Sequence, residues 1–410
     1  MLASIKKPNL HFKGDKIIWI MVAFMSVLSL LVVYSSTGTL AFARMGGNTE
    51  HFILKHSIIV MSGLFLMYGV HLANYRIFSG IGILALIIAI PMLLFTLITG
   101  TNINDANRWL TIPVINATFQ TSDFAKLALV MYLARMLSKR QDTIKGFKEA
   151  FVPLMIPVFI VCGLILPANF STAALLFSVC LVMMFIGRVN LKYILLMIGG
   201  FALAFTVFVA IALNTNSTGR IGTWKNRIES FKNGDSEGNF QAEQSKIAIA
   251  NGGILGRGPG NSIQRNFLPH PYSDFIYAIV IEEYGLIGGL VVMLFYVILL
   301  LRVVRICIHA KSYFQVFLAI GCCLLLIFQA MINMAVAVNL FPVTGQSLPL
   351  ISMGGTSIWF TSIAIGIILS ISRNVWTEDD EENNKKNEAG NINPINSNRK
   401  VKEGGDLVNA

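Results

Sequence analysis

Ten stretches of this chain are apolar and about long enough to cross a bilayer, roughly 17–34, 53–73, 81–99, 122–138, 150–167, 171–187, 193–213, 275–301, 314–335 and 353–372. That repetition restricts the fold more than any other feature. Lipid offers no water to unpaired backbone groups, so a run of about 18 apolar residues spans as a helix. Composition agrees. Hydrophobic residues make up 55% and charged residues only 13%, against roughly 25% charged in soluble domains. The expected fold class is therefore all-α: a polytopic membrane protein with about ten transmembrane helices.

Lysine and arginine placement orients the bundle. With the N-terminus inside, the inner segments hold sixteen basic residues, among them Lys13, Lys16, Arg135, Arg302, Arg305 and Arg373. The short outer loops hold three, Arg44, Lys55 and Arg108. Both termini are then expected in the cytoplasm. A large loop at 214–273, between the seventh and eighth spans, is expected outside. The domain plan is a cytoplasmic segment 1–16, a membrane domain 17–373 and a tail 374–410. The tail lacks aromatic residues and apolar periodicity and is expected to be disordered.

The formal charge of +11 invites a nucleic-acid reading. The basic residues sit in short loops between apolar runs, so topology explains them better and no nucleic-acid partner is expected. The cysteines, Cys162, Cys180, Cys307, Cys322 and Cys323, lie in or beside apolar runs without metal-ligand spacing, and read as small membrane hydrophobes. The run from Ile17 to Tyr34 reads as a retained first span that doubles as the insertion signal.

Carboxylates at the head of an apolar run raise the chemical question. The stretch HPYSDFIYAIVIEEYGLIG carries Asp274, Glu282 and Glu283. One helix from Ser273 to Leu301 would be about 43 Å long, longer than a hydrocarbon core of about 30 Å. With Arg302 and Arg305 marking the inner end, Asp274 would stand at the outer mouth, in the first helical turn. Two readings stay open: Ser273 or Asp274 caps the helix, or Asp274 does chemistry.

Four further segments stand out. In FQTSDFAKLAL, Asp123 and Lys126 share a helix face, as an internal ion pair or as a lysine aimed at an anionic substrate. LPANFSTAALL is a polar break or a tight turn. NLFPVTGQSLPLISMGGTSIW reads as re-entrant or cavity-lining. The glycines of IAIANGGILGRGPGNS suit a phosphate cradle, though as a dinucleotide fingerprint they are weak. All fall on the outer side of the inferred topology.

These segments together resemble the SEDS family (shape, elongation, division and sporulation) over about residues 15–373. The motifs that carry the resemblance are FQTSDFAKLAL, LPANFSTA, PVTGQSLPLISMGGTS and the long QAEQSKIAIANGGILGRGPGNSIQRNFLPHPYSDFIYAIVIEEYG. The resemblance implies a membrane glycosyltransferase that polymerises lipid II, a disaccharide-pentapeptide on undecaprenyl pyrophosphate, into glycan strands. It places the essential aspartate on Asp274, as general base on the acceptor hydroxyl, with undecaprenyl pyrophosphate leaving. It places a family lysine on Lys126. Candidate substrate-binding residues are Lys126, Asp123, Arg108, Ser245, Gly253, Gly256, Gly258, Ser352, Gly354 and Gly355. Lys126, Arg108 or a divalent cation (Mg or Mn) would offset the leaving charge. No metal ligands are assigned.

Departures from the family pattern are Asp123 where glutamate is usual, Asn169 where aspartate is common, Met353 for tyrosine and Thr344 for a lysine of some members. Within the family, ILPANFSTAALL, FPVTGQSLPLIS and the charged tail resemble division-type members more than elongation-type ones. That implies a bacterial plasma-membrane location at the septum. It also implies, as partners, a class B penicillin-binding protein that supplies cross-linking, and other division proteins. Rival readings are an elongation enzyme of the same family, a lipid II flippase and a scaffold. No internal repeat suggests inverted transporter halves.

Overall fold

The structure is a computed structural model and describes residues 13–38, 40, 49–103, 106–112, 117–214 and 237–390. The helices in chain order are α1 (Lys16–Ser36), α2 (Thr49–Leu72), α3 (Ile77–Thr99), α4 (Thr121–Lys139), α5 (Val152–Ile165, entered through a π turn at Phe147–Phe151), α6 (Phe170–Ile186), α7 (Leu191–Asn214), α8 (Glu237–Gly252), α9 (Ile276–His309), α10 (Tyr313–Ala337) and α11 (Gly355–Gly390).

Each of the ten expected segments coincides with one of these helices. Seven are long and apolar enough to cross a membrane on those grounds alone: α1, α2, α3, α5 with its π turn, α9, α10 and the first part of α11. Of the other three, α4 carries Asp123, Lys126 and Arg135 and α6 has 17 residues, while α7 stays apolar in sequence from Leu191 to Leu213 except for its polar positions Lys192, Tyr193 and Thr206.

α4 and α10 form the centre. Ala125, Leu129 and Leu133 of α4 and Ala319, Cys322 and Ala330 of α10 are fully buried or nearly so. α10 lies close to α4 and α6 at Gly321, where a Cβ would come within 2.7 Å of Met183 and Val130 side chains. α11 packs along α2, and α3 along α4. The outer faces of α1, α2 and α3 expose Ile20, Phe65 and Ile98, a belt suited to lipid. All five cysteines are free thiols, four of them buried.

Helix ends are closed by side chains. Asp15 caps α1, accepting from the amides of Ile17 (3.0 Å) and Ile18 (3.3 Å). Its other oxygen accepts from Arg302 Nε at 2.7 Å, tying the start of α1 to α9. Ser312 and Gln315 form a capping box on α10.

Four features differ from the expectations. Within the all-α plan, residues 101–120 form a three-stranded antiparallel sheet, β1 (Thr101–Ile103), β2 (Ala106–Ile112) and β3 (Ala117–Gln120), in that order. The β-branched and aromatic residues of NRWLTI favour strand over helix. The expected outer loop contains α8, built from the helix formers of QAEQSKIA and packed on α9 and α10. α11 continues past residue 373 to Gly390 through a segment rich in Glu and Lys. Residues 391–410 lie outside the described residues, as do Arg44 and residues 215–236 of the expected outer loop.

The fourth difference is α9 itself. It begins at Ile276, not Ser273, and breaks at Gly285 (φ 73°, ψ −176°). The break frees backbone groups, and the glycine loop 252–260 takes them up. Arg257 and Gly258 donate to the carbonyls of Glu282 and Glu283 at 3.0 Å each. Leu286 donates to Gly253 O at 2.9 Å and Ile287 to Ile254 O at 3.4 Å. A broken helix at membrane depth is tolerated when protein re-satisfies it in this way. The close approach demands glycine, since a Cβ on Gly256 would collide with the Glu283 carbonyl.

Candidate active site

Asp274 sits in a half-buried turn two residues before α9. The cap position is Phe275, and neither Ser273 nor Asp274 caps the helix by its side chain. The first-turn placement expected of Asp274 is thereby corrected, and of the two readings left open the helix cap is not the one found. The carboxylate accepts one hydrogen bond from Ser273 Oγ at 2.9 Å.

The backbone of this turn is gripped firmly. Asn333 Nδ2 of α10 donates to Asp274 O at 2.9 Å. Ser352 Oγ donates to Ser273 O at 2.7 Å. The Met353 amide donates to Tyr272 O at 2.9 Å. Three successive carbonyls are held while the Asp274 side chain stays half-buried at the surface of the frame.

The frame is the irregular segment 342–354. It threads between helices, and its carbonyls find side-chain donors: Gln346 O from Asn333 (2.7 Å), Ser347 O from Gln329 (2.9 Å), Pro349 O from Tyr296 (2.6 Å) and Ile351 O from Ser29 (2.8 Å). Ser352 Oγ also accepts from the Leu348 amide at 2.7 Å. Gln346 reaches Thr172 Oγ1 at 2.7 Å, linking the frame to α6. LPANFSTA proves to be a tight turn, with Asn169 capping α6 through the Thr172 amide.

Lys126 and Asp123 form a buried ion pair, Nζ to Oδ1 2.8 Å. Lys126 Nζ also donates to Gln329 Oε1 at 3.1 Å. Gln329 and Asn333 lie four apart on α10, on one face. Through them the lysine and the Asp274 turn meet the same strip of frame. Asp123 Oδ2 is buried with no hydrogen-bond partner.

The starts of α4, α6, α9 and α11 and the end of α10 thus converge at one end of the bundle. The opposite end holds Asp15 with Arg302, and Arg135 bonded to Ser79.

The remaining expected site residues fall into three groups. Ser352 and Gly354 belong to the frame, with Ser352 a buried positioning group, and Gly355 (φ 40°) opens α11 beside it. Ser245, Gly253, Gly256 and Gly258 lie apart from it. Ser245 is fully buried and donates to Ala337 O at the end of α10 (2.6 Å). The amides of Gly256, Arg257 and Gly258 are taken by Gly252, Glu282 and Glu283 carbonyls, so these three are occupied by the fold. Arg108 lies in β2, next to Trp109, which pairs with Gln120 near the start of α11. The Arg108 side chain is outside the described residues.

Glu282 and Glu283 are structural. Glu282 is fully buried and accepts from Ser262 Oγ and the amides of Ile263 (3.1 Å) and Gln264 (3.3 Å), with Arg257 at 3.9 Å. Glu283 accepts from Ser35 Oγ, which also accepts from Arg265. Among the described residues no group of three His, Cys, Asp or Glu could hold a metal ion.

Sequence reasoning missed Gln329, Asn333 and Gln346. The available signal was two amides four residues apart in the apolar run CLLLIFQAMINMAVA.

The model of the FtsW, RodA and SpoVE family, described as cell cycle protein, matches residues 15–376. A probable peptidoglycan glycosyltransferase FtsW of Trichlorobacter lovleyi is 32% identical over 379 residues, 91% of this chain and 96% of that protein. One from Geobacter sulfurreducens is 33% identical over 362 residues, 87% and 95%. Stage V sporulation protein E of Bacillus subtilis is 29% identical over 369 residues, 88% and 97%.

Among solved structures, one described as structural coordination of polymerization and crosslinking by a peptidoglycan synthase complex aligns with TM-score 0.70. Its identity is 22%, covering 88% of this chain and 98% of that one. Rod shape determining protein RodA of Thermus thermophilus aligns with TM-score 0.65 at 22% identity, with the same coverage. At that identity the likeness speaks for the fold.

Proposed function

This chain belongs to the cell cycle protein family of FtsW, RodA and SpoVE and is a glycosyltransferase, and on that premise we propose that it polymerises lipid II into glycan strands during cell division. Asp274 is the general base. It takes the proton of an acceptor sugar hydroxyl as that oxygen bonds to the anomeric carbon of the donor. The bond from that carbon to the diphosphate breaks, and undecaprenyl pyrophosphate leaves with the electron pair. Lys126 faces the leaving charge. A single displacement inverts the anomeric carbon and needs no covalent sugar on the enzyme.

One observation carries this reading. The turn at 272–274 is fixed through three consecutive carbonyls by α10 and the 342–354 frame, while the carboxylate keeps a single hydrogen bond. Preorganised backbone with an available carboxylate suits a proton acceptor.

The accompanying topology is ten spans with both termini cytoplasmic and 214–273 outside. It places the converging end of the bundle at the outer face of the plasma membrane, at the septum. The partner is a class B penicillin-binding protein, in line with the peptidoglycan synthase complex to which the fold is similar, together with other division proteins.

The test uses purified full-length protein with such a partner and labelled lipid II in vesicles. Polymer from wild type and none from Asp274→Ala supports the enzyme. Lipid movement between leaflets without polymer supports a flippase and contradicts the proposal.

A further inference from the structure

The glycine loop that fills the break in α9 carries two of the most exposed apolar side chains in the described structure, Ile254 at 69% and Leu255 at 79%. They adjoin Leu286 and Ile287 of α9, each 49% exposed. The Leu286 and Ile287 amides bond to Gly253 and Ile254 carbonyls. The loop is therefore laid directly against that side of α9 and continues its apolar surface.

The depth of this surface follows from α9. Arg302 marks the inner end, where it meets Asp15 beside Lys16 and Arg305. Gly285 lies seventeen residues above Arg302, about 26 Å along a helix. The hydrocarbon core is about 30 Å thick. Any tilt of α9 shortens the projected distance and sets Gly285 deeper. The break thus falls within the outer edge of the hydrocarbon, and so does the loop bonded to it.

The backbone is prepared for that setting. The amides of Gly256, Arg257 and Gly258 and the carbonyls of Gly253 and Ile254 are all paired. The charged group of the loop, Arg257, reaches back to Glu282 at 3.9 Å.

We propose that the loop 252–260 is an outer-leaflet membrane anchor, with Ile254 and Leu255 seated among lipid acyl chains as an extension of the lipid-facing surface of α9. The occupant is the hydrocarbon of the bilayer, because the surface is continuous with a span and lies at its depth. This does not rest on the glycosyltransferase reading; it requires only that α9 crosses the membrane. Its consequence for that reading is positional. Ile276, where α9 begins, precedes Gly285 by nine residues, so the helix lifts the turn that carries Asp274 about 14 Å above the loop, at the level of lipid headgroups.

The experiment places an environment-sensitive fluorophore on Leu255→Cys and, separately, on Asn261→Cys in the full chain. The host is a phosphatidylethanolamine and phosphatidylglycerol vesicle, and the wild-type chain serves as labelling blank. At position 255 the expected result is blue-shifted emission, loss of most intensity with shallow nitroxide lipids and little loss with iodide. Quenching by iodide but not by nitroxide lipid would put the loop in water and overturn the proposal. Protection from both quenchers would put it against protein and overturn it equally. The position 261 probe, on an exposed asparagine, reports whether the loop keeps its fold: its emission is expected to respond to iodide.

Discussion

Asn333 donates to the main-chain carbonyl of Asp274 at 2.9 Å, and the same nitrogen donates to Gln346 O at 2.7 Å. One amide on α10 therefore fixes the turn that carries the carboxylate and the irregular segment that walls it. The side chain is buried, with Oδ1 unpartnered, so its hold on the turn is through the donor. Asn333→Leu removes the donor at similar volume. Misplacement of a reacting group by about 1 Å can cost roughly a hundredfold in rate. Polymerisation is expected to fall by about 10- to 100-fold with the melting temperature lowered only slightly, read from strand synthesis and thermal unfolding on the same preparation.

The buried Asp123–Lys126 pair separates a structural role from a chemical one. Lys126→Met leaves a carboxylate buried without its cation and is expected to cost about 3–5 kcal/mol of stability. Asp123→Asn combined with Lys126→Met removes the unpaired charge and should recover most of that loss. Polymerisation stays absent in the double variant if Lys126 faces the leaving diphosphate. Activity returning together with stability would reduce the pair to packing.

Gly256 and Gly285 interlock α9 with its loop, both with positive φ (81° and 73°) and with no room for a Cβ. Gly256→Ala and Gly285→Ala are each expected to cost more than the roughly 1–3 kcal/mol of backbone strain alone, and to lower the yield of monodisperse protein in detergent. Gly253→Ala, where φ is also positive (53°) but a Cβ meets open space, should cost only the backbone strain and so be milder. Size-exclusion profiles of the three variants check the ordering.

Asp15 serves at once as the cap of α1 and as the partner of Arg302. Asp15→Ala loses both roles and is expected to destabilise by about 2–4 kcal/mol. Asp15→Asn keeps a capping oxygen and should cost less. Thermal unfolding of the two variants, with Arg302→Met as the reciprocal change, resolves the cap from the ion pair.

How far the sequence could be read depended on what each element needed from its surroundings. The helices of the bundle were legible because lipid leaves an apolar run no other backbone solution. Asp274 and Lys126 were legible because ionised groups beside apolar runs are conspicuous. Gln329 and Asn333 were not, since a neutral amide in an apolar helix is less conspicuous than a charge, and its carbonyl partners lie in the distant segment 346–347 and at Asp274. The break at Gly285 was hidden for a related reason: a glycine in IEEYGLIGGL is tolerated in a helix, and only the loop docked against it shows why it unwinds.

Ser245 and the loop glycines were given substrate contacts on motif membership, and in the fold Ser245 bonds Ala337 O while Gly256 and Gly258 pair with backbone carbonyls. A motif marks what the fold needs as readily as what the substrate needs. The strands at 101–120 follow from alternation that is short and weak in sequence and becomes visible through pairing.

The central claim, that the Asp274 carboxylate accepts the proton of the attacking hydroxyl, is tested most directly by Asp274→Asn. This isosteric change keeps the Asn333 bond to the backbone and removes the base. Strand synthesis from labelled lipid II, measured on protein with wild-type thermal unfolding, is predicted to be abolished. Polymer made by the asparagine variant at a rate near wild type would contradict the account.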